Sequence, residues 1–218
     1  MPISLSEILI RCPVIPLIEA DDPATGVATA RALQAGGISV VEVVQRTDAS
    51  LEALKEIACE VPGLLVGAGT VLNAQQADAC LAAGARFVVS PGLDPALVEF
   101  VQERGVDALP GVMTPTEAQR ALSLGLELVK FFPAATAGGV NAVRALASVF
   151  RGLCFVPTGG ISADNLAKYL ALDNVAGCGG SWMTPPDAIA GRDFDRVTAL
   201  AAEAITIAAA AGKSPAQS

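Results

Sequence analysis

The chain has 218 residues, 52% of them hydrophobic and 17% charged, with a mean hydropathy of +0.53. That is the size of one domain with a large core, and the composition excludes a disordered chain. A net charge of −8 and an isoelectric point near 4.5 argue against a nucleic-acid binder, because the phosphate backbone is repelled by an acidic surface.

Residues 1–7 show no basic region followed by an apolar run, so no secretory leader is read and a cytoplasmic location is expected. Residues 5–11 predict a short helix. From there, apolar runs alternate with amphipathic segments. Runs at 12–18, 39–44, 64–71, 86–90, 107–112, 126–132, 153–157 and 175–178 read as strands. The segments 23–34, 49–60, 73–83, 94–104, 114–124, 139–150, 162–172 and 194–210 read as helices. Asn73, Asp94, Thr114 and Ser162 stand where N-caps are needed, and Gly84, Gly105 and Gly125 stand where helices end. Strict alternation of this kind builds a parallel sheet. Roughly eight units in about 200 residues match a (β/α)8 TIM barrel, here with a short extra N-terminal helix. The domain is expected over residues 1–213, with 214–218 as a frayed tail. An open doubly wound sheet is the alternative, but no GxGxxG follows the first run. The longest uncharged stretch, residues 61–77, is broken by Pro62, Gly63, Gly67 and Gly69, so no membrane-spanning helix is expected.

Lys130 carries the chemistry of the sequence. It is the only charge in Leu128-Val129-Lys130-Phe131-Phe132-Pro133-Ala134. An ammonium in such surroundings is costly unless it is paired or gives up its proton. A neutral lysine amine attacks carbonyl carbons. The alternative is a side chain that snorkels outward to an acid. Barrel active sites lie at the C-terminal ends of the strands. In Val40-Val41-Glu42-Val43-Val44-Gln45-Arg46, alternation puts Glu42, Val44 and Arg46 on one face. Lys130 would share the inner face of its own strand with Leu128 and Phe132, across the interior from Glu42.

Glycine and hydroxyl residues gather at three strand ends: Gly67-Ala68-Gly69-Thr70, Pro157-Thr158-Gly159-Gly160-Ile161-Ser162 and Gly177-Cys178-Gly179-Gly180-Ser181. They are either tight turns or, for the last two, a backbone cradle for a phosphate, where barrel enzymes often place one. The chain contains no histidine, so the commonest general base and metal ligand is absent. Its 5 cysteines are scattered, imply neither zinc nor disulfides, and read as small core residues. No cofactor and no metal are expected.

The segments Val41-Glu42-Val43 with Arg46-Thr47, Gly67-Ala68-Gly69-Thr70-Val71-Leu72-Asn73, Ser90-Pro91-Gly92, Lys130-Phe131-Phe132-Pro133-Ala134, Pro157-Thr158-Gly159-Gly160-Ile161-Ser162 and Gly179-Gly180-Ser181-Trp182 resemble the 2-keto-3-deoxy-6-phosphogluconate (KDPG) aldolases and 4-hydroxy-2-oxoglutarate aldolases. The likeness runs in order over nearly the whole chain. It implies a metal-free class I aldolase, commonly a homotrimer, cleaving KDPG to pyruvate and glyceraldehyde 3-phosphate. Lys130 falls on the Schiff-base position and Glu42 on the general acid/base. Arg46, Thr70 and Pro91 fall on pyruvate-binding positions, and Phe132 on the pocket wall. Thr158 falls on a position for the substrate hydroxyls, and Gly159, Gly160 and Ser181 on the phosphate turns. Gln45 and Ala135-Thr136-Ala137 depart from the family pattern without touching a chemical role. The rival readings are an aldolase for the galactonate epimer or an unphosphorylated 4-hydroxy-2-oxo acid, a metal-dependent barrel aldolase, and a silent sugar-phosphate-binding barrel.

Overall fold

The computed structural model describes residues 4–212; the segment 214–218, expected as a tail, and residues 1–3 lie outside them. The strands are β1 Val14–Ile18, β2 Val40–Val44, β3 Leu65–Gly69, β4 Phe87–Ser90, β5 Asp107–Val112, β6 Leu128–Phe131, β7 Cys154–Pro157 and β8 Cys178–Gly180. The helices are α1 Leu5–Arg11, α2 Pro23–Ala35, α3 Ser50–Glu60, α4 Ala74–Ala82, α5 Pro95–Gln102, α6 Pro115–Ser123, α7 Gly139–Val149, α8 Ala163–Leu170, α9 Pro186–Ala190 and α10 Phe194–Ala210. The strands pair in parallel in the order β7-β6-β5-β4-β3-β2-β1-β8, and a bridge from Thr158 to Gly179 joins the two ends. The sheet thus closes on itself as a (β/α)8 barrel, with α1 as the extra helix. Among the described residues no helix is long and apolar enough to cross a membrane.

Three expectations need correction. The last strand is not 175–178 but Cys178–Gly180, which pairs with Val14–Pro16 of β1. Hydrophobicity marks the approach to the strand, whereas the ladder is carried by glycines whose missing side chains let neighbours close in. A Cβ on Gly179 would meet the Thr158 hydroxyl, and one on Gly180 would enter the Trp182 ring. Helix α9 has no counterpart among the expected elements, being a single turn or so. The cysteines are not uniformly core: Cys12, Cys80 and Cys178 are buried, but Cys59 and Cys154 are exposed, because they sit on the outer face of α3 and at the first position of β7. Burial pushes the Cys80 thiol up to about 11, which leaves it protonated and unreactive.

Helix ends follow the predicted punctuation. Asn73, Asp94 and Thr114 accept hydrogen bonds from the N–H groups of Gln76, Ala96 and Glu117. Gly84, Gly105 and Gly125 adopt left-handed φ of 107°, 67° and 73°. At the start of α6 the Glu117 carboxylate accepts from the Met113 and Thr114 N–H groups at 2.8 and 2.7 Å. Burial alone would raise this carboxyl, but the Met113 N–H, the Thr114 hydroxyl and the Thr114 N–H outweigh it and hold it below the usual carboxylate value. A carboxyl depressed on folding stabilises the protein above its unfolded-state value and loses that contribution as pH falls through the folded one. Glu117→Gln is therefore expected to lower thermal stability at neutral pH. The gap to the parent chain should narrow on acidification, as read in melts across a pH series.

Inside the barrel the floor is aromatic. The Phe87 ring lies directly in front of Gly67, where a Cβ would overlap it, and Phe87 is fully buried. Outside the barrel Phe131 and Phe155 pack edge to face, with ring centroids 6.5 Å apart. Phe87→Ala would empty a site that its rigid neighbours cannot refill, at a cost of about 3–5 kcal/mol. Urea titration should show a lower midpoint with little change in slope.

Candidate active site

Strands β2 and β6 stand four places apart in the ring, on opposite sides of the barrel. Their inward side chains nevertheless meet: Lys130 Nζ donates to Glu42 Oε1 at 3.3 Å. The two side chains are 7% and 2% exposed. Local sequence explains how they reach. Parity turns Glu42 inward between Val41 and Val43, which are buried on the outer side. Glycine then clears the path: a Cβ on Gly69 would collide with the Glu42 carboxylate. On the other side Lys130 pairs in register with Gly111 of β5 and Val156 of β7. The Phe132 ring caps the amine, with Nζ 5.2 Å from its centroid.

A second group forms above the first. Arg46 follows β2 and sends Nε to the Thr70 hydroxyl at 3.3 Å and NH1 to Glu19 Oε2 at 3.2 Å. Thr70 has φ of +60°, a left-handed conformation that a β-branched residue adopts only against strain. The strain places the hydroxyl on Arg46 immediately after Gly69, so one dipeptide seats Glu42 on one side and Arg46 on the other. Arg46 and Ser181 line a cavity of about 510 Å³, together with Glu19, Val44, Thr184 and Arg192. Lys130 and Glu42 are not among its walls, which run on to Thr25 and Thr29 of α2 and Pro186 and Ile189 of α9.

The turn after β7 packs on the other flank. Ala134 and Ala135 donate backbone hydrogen bonds to the Thr158 and Gly159 carbonyls at 2.8 and 3.0 Å. Gly159 and Gly160 have φ of 97° and 76°, and Gly159 lies against Phe132 and Pro133. The Gly159 N–H faces Gly179 in the bridge that closes the barrel, while among the described residues no group accepts from the N–H of Gly160 or Ile161. These donors and the start of α8 form a cradle suited to an anion. Thr158 is buried, and its hydroxyl donates to the Val156 carbonyl at 3.3 Å.

Of the residues singled out in the sequence, Lys130, Glu42 and Phe132 converge, and Arg46 joins Thr70. Gly159 lies against Phe132 and Gly160 against Ala135, Thr158 pairs with Phe131 and Ala134, and Ser181 shares the cavity of Arg46. Pro91 stands apart. Its carbonyl lies against Gly111, the ladder partner of Lys130, while the residue lines a separate hollow of about 320 Å³ with Leu72 and Ser90. Two participants escape the sequence reading. Gly69 reads there only as part of a turn, and Glu19 has no assigned role. The sequence marks Glu19 only as a charged residue directly after the first apolar run, a weaker mark than that of Glu42, which lies inside its run. Among the described residues no three His, Cys, Asp or Glu side chains cluster as metal ligands.

A family model described as KDPG and KHG aldolase matches residues 5–200. The 2-dehydro-3-deoxy-phosphogluconate aldolase of Treponema pallidum is 46% identical over 94% of this chain and 98% of its own length. The KHG/KDPG aldolase of Escherichia coli K12 is 45% identical over 93% and 95%. Among solved structures, the KDPG aldolase of Legionella pneumophila, with pyruvate captured at low pH as a covalent carbinolamine intermediate, superposes with a TM-score of 0.89 at 39% identity, covering 93% of this chain and 98% of that one. The Zymomonas mobilis ZM4 enzyme with 3-phosphoglycerate gives 0.86 at 44% identity, covering 92% and 94%.

The packing of Gly69 on Glu42 yields a sharp test. The strand backbone at Gly69 accepts any residue, so Gly69→Ala should fold. Its methyl should push the carboxylate away from Lys130, and misplacement of a reacting group by about 1 Å can cost on the order of 100-fold in rate. A crystal structure of the variant with the Nζ–Oε1 distance unchanged would contradict this account.

Proposed function

The chain belongs to the KDPG and KHG aldolase family, and from that premise we propose that it is a class I aldolase. It cleaves KDPG to pyruvate and glyceraldehyde 3-phosphate through a Schiff base on Lys130. The observation that carries this reading is the buried Lys130–Glu42 pair, 3.3 Å apart. An amine held against a carboxylate away from bulk water can hand over its proton locally and become a nucleophile. The carbinolamine of the Legionella relative is the adduct such an amine would form.

The proposed reaction runs through covalent catalysis by the lysine amine. Nζ, with its proton passed to Glu42, attacks the C2 ketone to give a carbinolamine. Protonation of the carbinolamine hydroxyl and loss of water leave an iminium, which draws electrons toward nitrogen. A base removes the C4 hydroxyl proton, the C3–C4 bond breaks, and glyceraldehyde 3-phosphate departs. The electron pair from that bond forms the enamine. Protonation at C3 and hydrolysis release pyruvate and the free amine. Glu42, directly or through a water, is the carboxylate placed to move these protons. Arg46, held by Thr70, is the bidentate donor for the keto-acid carboxylate. Phe132 shields the iminium, and Pro91 supports the strand beside Lys130. The turn of Gly159 and Gly160, with Ser181, receives the phosphate, a local solution for a protein that is acidic overall. Thr158 holds the turn next to the substrate hydroxyls.

We read residues 1–213 as one barrel domain and the working unit as a homotrimer. Leu72 and Met113, exposed apolar side chains after β3 and β5, offer surface for such an assembly to cover. Sedimentation equilibrium at three times the chain mass is the expected result.

Borohydride reduction in the presence of pyruvate, followed by peptide mapping, should place the adduct on Lys130. Adduct on Lys55 or Lys168 instead would overturn the assignment. Glu42→Gln should lower kcat by about 100- to 10,000-fold, while the pyruvate concentration for half-maximal trapping moves far less. Equal effects on both would deny Glu42 its role in proton transfer.

A further inference from the structure

We propose that Glu19 is a built-in competitor for the substrate carboxylate: it occupies the Arg46 guanidinium in the empty site, and a 2-oxo acid binds by displacing it. The proposal rests on the reading of Arg46 as the carboxylate clamp given above. It makes Glu19 a specificity-determining residue for the aldol reaction, one that the buried lysine chemistry neither needs nor explains.

Two of the five Arg46 N–H donors are engaged in this structure. Its Nε faces Thr70 at 3.3 Å and its NH1 faces Glu19 at 3.2 Å, so a carboxylate that needs both terminal nitrogens of the fork must displace Glu19. Thr70 is fixed by its backbone conformation and by the strand that carries it. Glu19 is not: it follows the last residue of β1 and, among the described residues, makes no hydrogen bond other than the one to Arg46. The pair is 47% and 54% exposed. Ion pairs in that setting contribute little net stability, because water and side-chain entropy offset the attraction. A contact of this strength is exchangeable. The ligand group that matches it is another carboxylate, which brings the same charge and the same acceptor geometry to the guanidinium.

The surroundings give the exchange a consequence. The cavity shared by Arg46 and Ser181 is also lined by Asp21, Asp22 and Arg192. With Glu19 in place its walls hold three carboxylates against two guanidiniums. An anion entering this cavity is repelled unless it can take over Arg46 and send Glu19 out to solvent. A 2-oxo acid can do so. A triose phosphate lacking a carboxylate cannot, and must rely on the glycine turn alone. Glu19 therefore lowers affinity for ligands that bind through Arg46, and a carboxylate is the group equipped to displace it. When pyruvate leaves, Glu19 re-pairs with Arg46 and favours its release.

The test is a double-mutant cycle on the full chain, with KM and kcat for KDPG cleavage and pyruvate trapping by borohydride as readouts. Glu19→Gln keeps the shape and removes the charge. It should lower KM, and the pyruvate concentration for half-maximal trapping, by about three- to fivefold, with kcat within about twofold of the parent. In an Arg46→Gln background the same change should give no gain, since there is no guanidinium to free. A higher or unchanged KM in Glu19→Gln, alongside a large KM increase in Arg46→Gln, overturns the competitor role and leaves the clamp standing. An equal gain in both backgrounds also overturns it, because the effect would then be general charge removal. An Arg46→Gln variant with an unchanged KM overturns the clamp itself, and this proposal with it.

Discussion

The site depends on one constraint: a cation and an anion must be brought face to face inside a closed sheet, where neither can be left alone. A carboxylate or ammonium stripped of water and unpartnered is penalised far beyond what a single domain can absorb. Pairing Lys130 with Glu42 at 3.3 Å resolves the penalty for both, yet it holds them by a contact that a proton can cross. The rest of the barrel is arranged to permit this meeting. Strands four apart must close into a ring so that their side chains point at each other. Gly69 must lack a side chain so that the carboxylate fits. Phe87 must fill the floor so that the pair sits above packed apolar atoms rather than water. Taken as a stability device the pair is poor, since well-packed apolar residues would serve as well or better. Its retention in so apolar a barrel is a reason to look for chemistry.

Much of the architecture is legible in the sequence because the signals that mark it are local. Strand parity, cap residues and terminal glycines act over a few positions, and each reports on its own neighbourhood. Thus Thr114 with Glu117, or Asn73 before α4, can be recognised without knowing what they pack against. The eighth strand is misplaced for the converse reason. Residues 175–178 are the more hydrophobic, but Cys178–Gly180 are the ones that β1 can reach, and that preference is a property of the partner strand. The exposed cysteines escape on similar grounds, since composition says how often a residue type is buried but not which face of a helix it occupies.

In the site, the inner pair is readable and the outer group only in part. A lone charge among valines or phenylalanines announces itself, which is why Glu42 and Lys130 stand out. Arg46 and Thr70 are placed through the family likeness, and Glu19 escapes because nothing about an acid after an apolar run distinguishes a solvated end from a partner. Only the fold brings the end of β1 beside the turn after β2. The strained backbone of Thr70 is equally invisible, since φ at that position is set by how β3 leaves the barrel.

The separation between the two groups has its own logic. The amine lies beneath Phe132, almost fully covered, while the guanidinium stands in a cavity open to anions. A 2-oxo acid has its carboxylate and its ketone on adjacent carbons, so it can engage both only by reaching down from Arg46 toward Lys130. On the proposed roles, an order of events follows from burial: the exposed Arg46 would meet the carboxylate first, and the buried Lys130 would meet the ketone second, where electrostatic interactions are strong. Selection by charge would then precede covalent capture. A carbonyl compound without the carboxylate would lack the Arg46 foothold from which to present itself to the amine. The exposed Glu19–Arg46 contact would belong to the first stage, and the buried Lys130–Glu42 contact to the second. The difference in burial suits the roles proposed for them: one to be exchanged at each turnover, the other to keep its geometry while bonds to nitrogen form and break.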